Sequence, residues 1–391
     1  MSVDRSWRHV GVVGGWQVVA STTYYAVFAA TAAIAGAFEV STTGIGILLA
    51  VLTLGYTVML FPAGAIVDGY GDRPPMVVGL ALLAVGTVGV GVAPSFAALL
   101  VAVFVLGAAY ATAMPATNRA IADRAPPGQY NLAVGVKQIG VTTGSALAAV
   151  VVTNAARVGA TWRTAFLAIG AVAGLAAMGY LVAYRGTGGT GRPTLPDVRG
   201  LWDDRSFVFL SLAGLFLGTG IFTTTGYLVP FLESADASVH LAGFALATMQ
   251  ISGSAGRIGV GAIADRLPGS AAAGAARVML AQLGTAAALY LALPLVGVAA
   301  AFPLVAVLGL SMLGTTGLYH GTLVRLVDDD EAGAATAAGQ TTINLGGLLA
   351  PPAFGVLVDA AGYTMGWWLL AVGSVLGVGA LALSVRSLGG Q

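Results

Sequence analysis

Twelve apolar segments, most of twenty residues or more, follow one another along this chain of 391 residues and leave few ways for it to fold. About 20 apolar residues is the length that crosses the hydrocarbon core of a bilayer as a helix. Lipid offers no partner to backbone N–H and C=O groups, so only helices and closed barrels span it, and continuous segments of this length are helices. The spans read 10–37, 43–67, 75–93, 96–120, 130–154, 164–184, 207–232, 241–264, 274–295, 300–325, 334–358 and 363–386. Prolines punctuate them at Pro74-Pro75, Pro94, Pro126-Pro127 and Pro268. Hydrophobic residues make up 57% and charged residues 8%, whereas soluble domains carry about a quarter charged. A water-soluble globule is excluded, and the fold class is an all-α membrane protein.

The remaining composition removes other classes. Glycine, at 57 residues, suits helices packed backbone to backbone, because lipid provides no hydrophobic drive between them. There is no cysteine, hence no disulfide and no thiolate metal site. Neither a GxxxxGK[ST] phosphate loop nor an HExxH metal motif occurs, so the chain carries no ATPase engine and is not read as an enzyme. No cofactor or metal is expected. A net charge of +1 makes no case for a nucleic-acid partner, and the partner that the spans demand is the lipid bilayer. The N-terminal MSVDRSWRH leads into an apolar run too long for a signal peptide and is read as retained.

The longest polar stretch, Arg185 to Ser206, falls between the sixth and seventh spans. It divides the chain into an N-terminal six-helix bundle, 1–184, a linker, 185–206, and a C-terminal six-helix bundle, 207–391. Of the 17 cations, Arg157 and Arg163 lie at one side and Lys137 and Arg257 within spans, while all others, Arg5, Arg73, Arg124 and Arg185 among them, lie at the opposite side. Positive residues mark the cytoplasmic face. Both termini and the linker are therefore expected on the cytoplasmic side of the cell membrane.

Lys137, the only lysine, and Arg257 sit in apolar segments that contain no Asp or Glu. A charge at that depth costs at least a few kcal/mol and survives mainly where it serves a polar pathway. Lys137 lies nine residues beyond Gly128 and Arg257 nine residues before Arg266, at the cytoplasmic ends of their helices, which puts both about 13 Å deep at 1.5 Å per residue. Arginine offers a planar fork matched to a carboxylate, sulfonate or phosphate, and lysine a compact charge with rotatable donors. Both point to a small anionic substrate. The competing readings are a bond from Arg257 to helix-end carbonyls or to Asp265, and snorkelling of Lys137 to the interface.

The halves repeat. Gly64-Ala65-Ile66-Val67-Asp68 ends the second span and Gly261-Ala262-Ile263-Ala264-Asp265 the eighth, with four of five residues identical at an offset of 197. With Gly71 and Arg73, the first copy resembles the loop signature of the major facilitator superfamily, and the layout of twelve spans in two pseudo-symmetric six-helix bundles resembles that family over nearly the whole chain. Gly69 and Asp72 stand where that family usually has basic residues. The resemblance implies a secondary transporter working by alternating access, with Gly64, Asp68, Gly71, Arg73 and Asp123, and Gly261 and Asp265 in the second half, as gating residues. It also implies that the fifth and eighth helices face one another, so that Lys137 and Arg257 serve one cavity. Arg257 to Asp265 is similar to the eighth-helix segment of monocarboxylate and oxalate/formate carriers, where the arginine binds the substrate carboxylate. Gly135 to Gln138 is similar to a fifth-helix element of bacterial facilitators.

Further candidates for the substrate site are Tyr24, Tyr25, Gln138, His320, Gln340 and Asn344, with Tyr227 near the outer end of the seventh span. For the tyrosines the alternative is packing, for Asn344 a bond across helices beside Gly346-Gly347, and for Arg119 an i,i+4 pair with Asp123. The reading is a monomeric secondary active transporter of a small organic anion, monocarboxylate-like, with a proton as candidate coupling ion on Lys137 or His320. The alternatives are a multidrug or cation exporter of the same fold, which needs an intramembrane carboxylate, and a non-transporting sensor.

Overall fold

The computed structural model describes residues 3–126, 129–186, 188–267, 271–328 and 331–389. Fifteen α-helices and no strand occur among them. They are α1 (Val3–Ala29), α2 (Thr31–Phe38), α3 (Thr42–Tyr70), α4 (Arg73–Val92), α5 (Phe96–Tyr110), α6 (Ala113–Ala122), α7 (Tyr130–Asn154), α8 (Trp162–Ala183), α9 (Arg205–Ser234), α10 (Val239–Arg266), α11 (Ala271–Ala292), α12 (Val298–Leu308), α13 (Gly314–Val324), α14 (Ala332–Ala361) and α15 (Tyr363–Gly389). Ten spans are long and apolar enough to cross a membrane, and the bent pair α1–α2 makes an eleventh. The twelfth expected span is α10, whose 28 residues reach about 42 Å. Gln250, Ser252, Ser254 and Arg257 make it the least apolar of the set.

Three expected spans are interrupted. A 51° bend separates α1 from α2. Neither proline nor glycine lies there; the Thr31 hydroxyl instead donates to the Phe28 carbonyl at 3.1 Å, the kind of local bond that competes with the helical ladder. Between α5 and α6 the Thr112 hydroxyl donates to Ala109 O at 2.8 Å in the same manner. The tenth span holds one π-helical turn, Gly309–Leu313, between α12 and α13. The proline stops act as expected at Pro74-Pro75, which occupy the first turn of α4, where a missing N–H costs nothing. At Pro94, Ser95 caps α5 by accepting from Ala98 N. Pro127, Pro268, Asp329 and Asp330 lie outside the described residues.

The helices gather into two compact units, Met1–Ala33 with Val51–Leu195, and Ile34–Ala50 with Pro196–Gln391. In the first, α5 runs so close to α3 that a Cβ at Gly107 would overlap Leu52 O. The second repeats the device between α9 and α14, where a Cβ at Gly218 would overlap Ile343 O. Only glycine permits such backbone contact. In this second unit the carboxylate of Asp359, at the end of α14, caps the start of α3, accepting from Thr42 N at 3.0 Å and Thr43 N at 2.9 Å.

Candidate functional site

In the second unit, α10 crosses the π turn of the tenth span, with Gly256 against Leu310 O and Gly314. A π turn inserts a residue and loosens the regular carbonyl ladder, and such turns concentrate at functional positions. Here Leu313 O accepts Nε–H of Arg257 at 3.1 Å. His320 lies two helical turns further along, near enough to Arg257 to feel its charge, and its ring interacts with the Gln340 side chain. Gln340 in turn donates to Asn344 Oδ1 at 2.9 Å. Asn344 is fully buried, and its Nδ2 has no acceptor among the described residues. Four residues selected from sequence, on α10, α13 and α14, thus form one polar cluster.

The first unit places Lys137 on α7 at 1% exposure. Its Nζ donates to Thr117 Oγ1 at 3.1 Å and Asn118 Oδ1 at 2.8 Å, both on α6. Gln138, the next residue, is half-buried. Tyr24 and Tyr25 belong to an aromatic cluster with Tyr56 and Tyr110. The Tyr24 ring stacks on Tyr110 at 4.2 Å and meets Tyr25 edge-on at 5.2 Å. Tyr227, in the second unit, directs its hydroxyl to Thr42 O at 2.8 Å and Pro351 O at 3.0 Å.

The signature loop closes α3. Gly71, at φ +81°, takes the left-handed conformation that glycine adopts without strain, and its N–H returns to Val67 O at 2.8 Å. Gly64 has open space where a Cβ would stand, as has Gly261 on α10. The Asp68 side chain is exposed, while its backbone oxygen accepts from Thr190 N at 2.9 Å and Gly69 O accepts from Gly191 N at 2.8 Å. Arg73 donates to Leu181 O at 2.7 Å. Asp123 pairs with Arg119 at 2.9 Å, the i,i+4 arrangement. The side chain of Asp265 lies outside the described residues.

Sequence reasoning missed the part played by residues 185–193. Arg124 donates to Arg185 O at 2.5 Å and Gly186 O at 3.0 Å, Arg119 reaches Gly188 O at 3.4 Å, and Thr190 and Gly191 lie along the loop. The two departures from the family pattern belong to this strap. A Cβ at Gly69 would stand 2.7 Å from Pro193 N, so no larger residue fits. Asp72, fully buried, accepts the Tyr184 hydroxyl at 2.5 Å. Burial first, and then this carboxylate, push the Tyr184 phenol up, keeping it a donor. Asp72→Ala leaves that buried hydroxyl without its acceptor, a loss of about 1–3 kcal/mol. The expected result is a lower Tm and faster tryptic cleavage after Arg185; unchanged cleavage would show that Asp72 does not hold the strap.

The Major Facilitator Superfamily profile matches residues 14–351. An uncharacterised MFS-type transporter of Mycobacterium tuberculosis is 25% identical over 333 residues, 84% of this chain and 74% of that protein. The hexuronate transporter of Escherichia coli K12 is 29% identical over 179 residues, 46% of this chain and 41% of its own, and human monocarboxylate transporter 7 is 29% identical over 191 residues, 46% and 34%. In three dimensions the chain resembles a bacterial homologue of the human lysosomal transporter Spinster in an inward-facing, occupied conformation, with a TM-score of 0.81, 17% identity and coverage of 98% of this chain and 96% of that one. With ten apolar helical spans and an eleventh in the bent pair α1–α2 among the described residues, and a family match over most of its length, this multi-pass membrane protein is a transporter rather than an enzyme and belongs to the Major Facilitator Superfamily.

Proposed function

We propose that the chain is a secondary active transporter of a small organic anion, monocarboxylate-like, working by alternating access in the cell membrane with both termini and the 185–206 linker cytoplasmic. The observation that carries this is the cluster of Arg257, His320, Gln340 and Asn344. It holds a cation and a buried amide donor, Asn344 Nδ2, that has no acceptor among the described residues. A buried donor left unsatisfied costs about 1–3 kcal/mol, and a carboxylate supplies the missing acceptor together with the opposite charge. Lys137 is the second cationic candidate, and a proton carried on Lys137 or His320 is the coupling ion. The partial likeness to carriers named for hexuronate and for monocarboxylates, both carboxylates, supports the same substrate class. Asp68, Arg73 and Asp123 are the candidate gating groups, and the protein works as a monomer.

The test is a binding and counterflow screen of purified protein in liposomes against mono- and dicarboxylates, hexuronates, sulfonates and lipophilic cations. Saturable exchange of a carboxylate is the expected result. Exchange of cations alone would overturn the reading, and binding without counterflow would mark a sensor.

One observation favours the cation exporter as a second reading. Helix α9 extends to Ser234, two residues beyond the expected span, and so takes in Glu233, whose Oε1 is buried without a partner among the described residues. Glu233→Gln should leave carboxylate exchange within about twofold of wild type. If that substitution abolishes exchange and a lipophilic cation competes for the site, the exporter reading replaces the anion one.

A further inference from the structure

A groove of about 930 Å³ runs between α1 and α8 within the first unit, apart from the cluster described above. Small residues create it. On α8, Ala176, Gly179 and Ala183 recur at helical spacing, and Gly15 faces them from α1. The Cβ position of Gly179 is open, with nothing within 4 Å. Tyr180 ties the two helices together by donating to Val12 O at 2.5 Å. The neighbouring face of α8, with Met178, Leu181 and Val182, is apolar and exposed, as a bilayer-facing surface must be. The groove therefore opens beside lipid.

One end is cationic. Arg8, Arg124 and Arg185 line it, with His9 stacked 5.8 Å from Tyr184. Carbonyls rather than carboxylates take the hydrogen bonds of Arg124, and neither Arg8 nor Arg185 has an ion-pair partner among the described residues. The nearby carboxylate, Asp72, is engaged by Tyr184. From Arg8 to Gly15 the groove extends about 10 Å along α1, so a charged mouth continues into an apolar channel.

We propose that this groove is a binding site for an anionic phospholipid, with the phosphodiester headgroup at Arg8, Arg124 and Arg185 and an acyl chain along the small-residue stripe. Basic pockets between transmembrane helices suit such headgroups, and a basic residue at an anionic membrane surface contributes about fivefold in binding. A soluble phosphate would use the mouth but has no use for the apolar length, which is why the lipid is the occupant.

The experiment titrates the full-length protein in detergent with phosphatidylglycerol or phosphatidylcholine and reads bound lipid by native mass spectrometry. Phosphatidylglycerol should bind at least about tenfold more tightly than phosphatidylcholine, and the preference should shrink as salt rises. Arg8→Gln with Arg185→Gln should weaken phosphatidylglycerol by about 25-fold and leave phosphatidylcholine unchanged. Arg124 is kept, because its carbonyl bonds hold the strap. Arg8→Lys with Arg185→Lys retains the charge and should retain most of the preference, which separates lost charge from lost folding. Gly179→Leu, which fills the channel, should weaken phosphatidylglycerol while leaving the arginines in place. Equal binding of the two lipids by wild type, an unaltered preference in the glutamine variant, or full displacement of phosphatidylglycerol by glycerol phosphate would each overturn the proposal.

Discussion

Arg257→Ala is expected to abolish transport of the carboxylate that the screen identifies, with binding weakened at least about thirtyfold. Truncating one partner of a desolvated charge pair costs about 2–5 kcal/mol, much of it the penalty of leaving the other charge unpaired, and the lower end of that range already gives about thirtyfold. Arg257→Lys should recover little. Its ammonium keeps the charge but loses both the planar fork and the Nε–H that Leu313 O accepts in the π turn. Folding is a separate matter. The helix contacts around Arg257 are made by Gly253 and Gly256, so both variants should insert and purify like wild type. Carboxylate exchange by the alanine variant at the wild-type rate would remove Arg257 from the site and leave His320, Gln340 and Asn344 without their cation.

The course of the helices was legible in the sequence because bilayer physics makes hydropathy nearly decisive. Spans such as 130–154 and 363–386 differ from α7 and α15 by at most three residues. The breaks were not legible. The α1–α2 bend and the α5–α6 break rest on threonine hydroxyls bonding to carbonyls, which look like any other threonine in an apolar run. The π turn has no compositional mark, and yet it positions Arg257. The polar cluster was half legible. His320, Gln340 and Asn344 stood out as polar groups at lipid depth, but their linkage depends on the packing of α13 and α14. The strap illustrates the opposite case. Gly69 and Asp72 stand where a family pattern has basic residues, and packing against Pro193 and Tyr184 gives them a structural reason that no local motif encodes. Glu233 escaped notice because the expected span stopped one residue short of it, and at a helix end one residue decides whether a carboxylate is counted.

Lys137→Gln should separate recognition from architecture at the other cation. At 1% exposure, Lys137 joins α7 to α6 through Thr117 and Asn118, so part of its value is structural. Glutamine keeps a donor for one of these oxygens and loses the charge, and a lost neutral-to-charged bond is worth about 1.5–3 kcal/mol. A purely architectural lysine predicts a lower Tm with an unaltered KM for the anion. A lysine that also serves the substrate predicts that KM rises by about tenfold or more while the folded protein still purifies, and that the pH dependence of transport flattens if Lys137 is the proton carrier. The second result is the expected one. Lys137→Arg sharpens the distinction, because it restores charge on a bulkier group; partial recovery of KM without recovery of Tm would assign the charge to the substrate and the fit to the fold. An unchanged KM in the glutamine variant would confine Lys137 to joining α6 and α7, and retained pH dependence would pass the proton to His320.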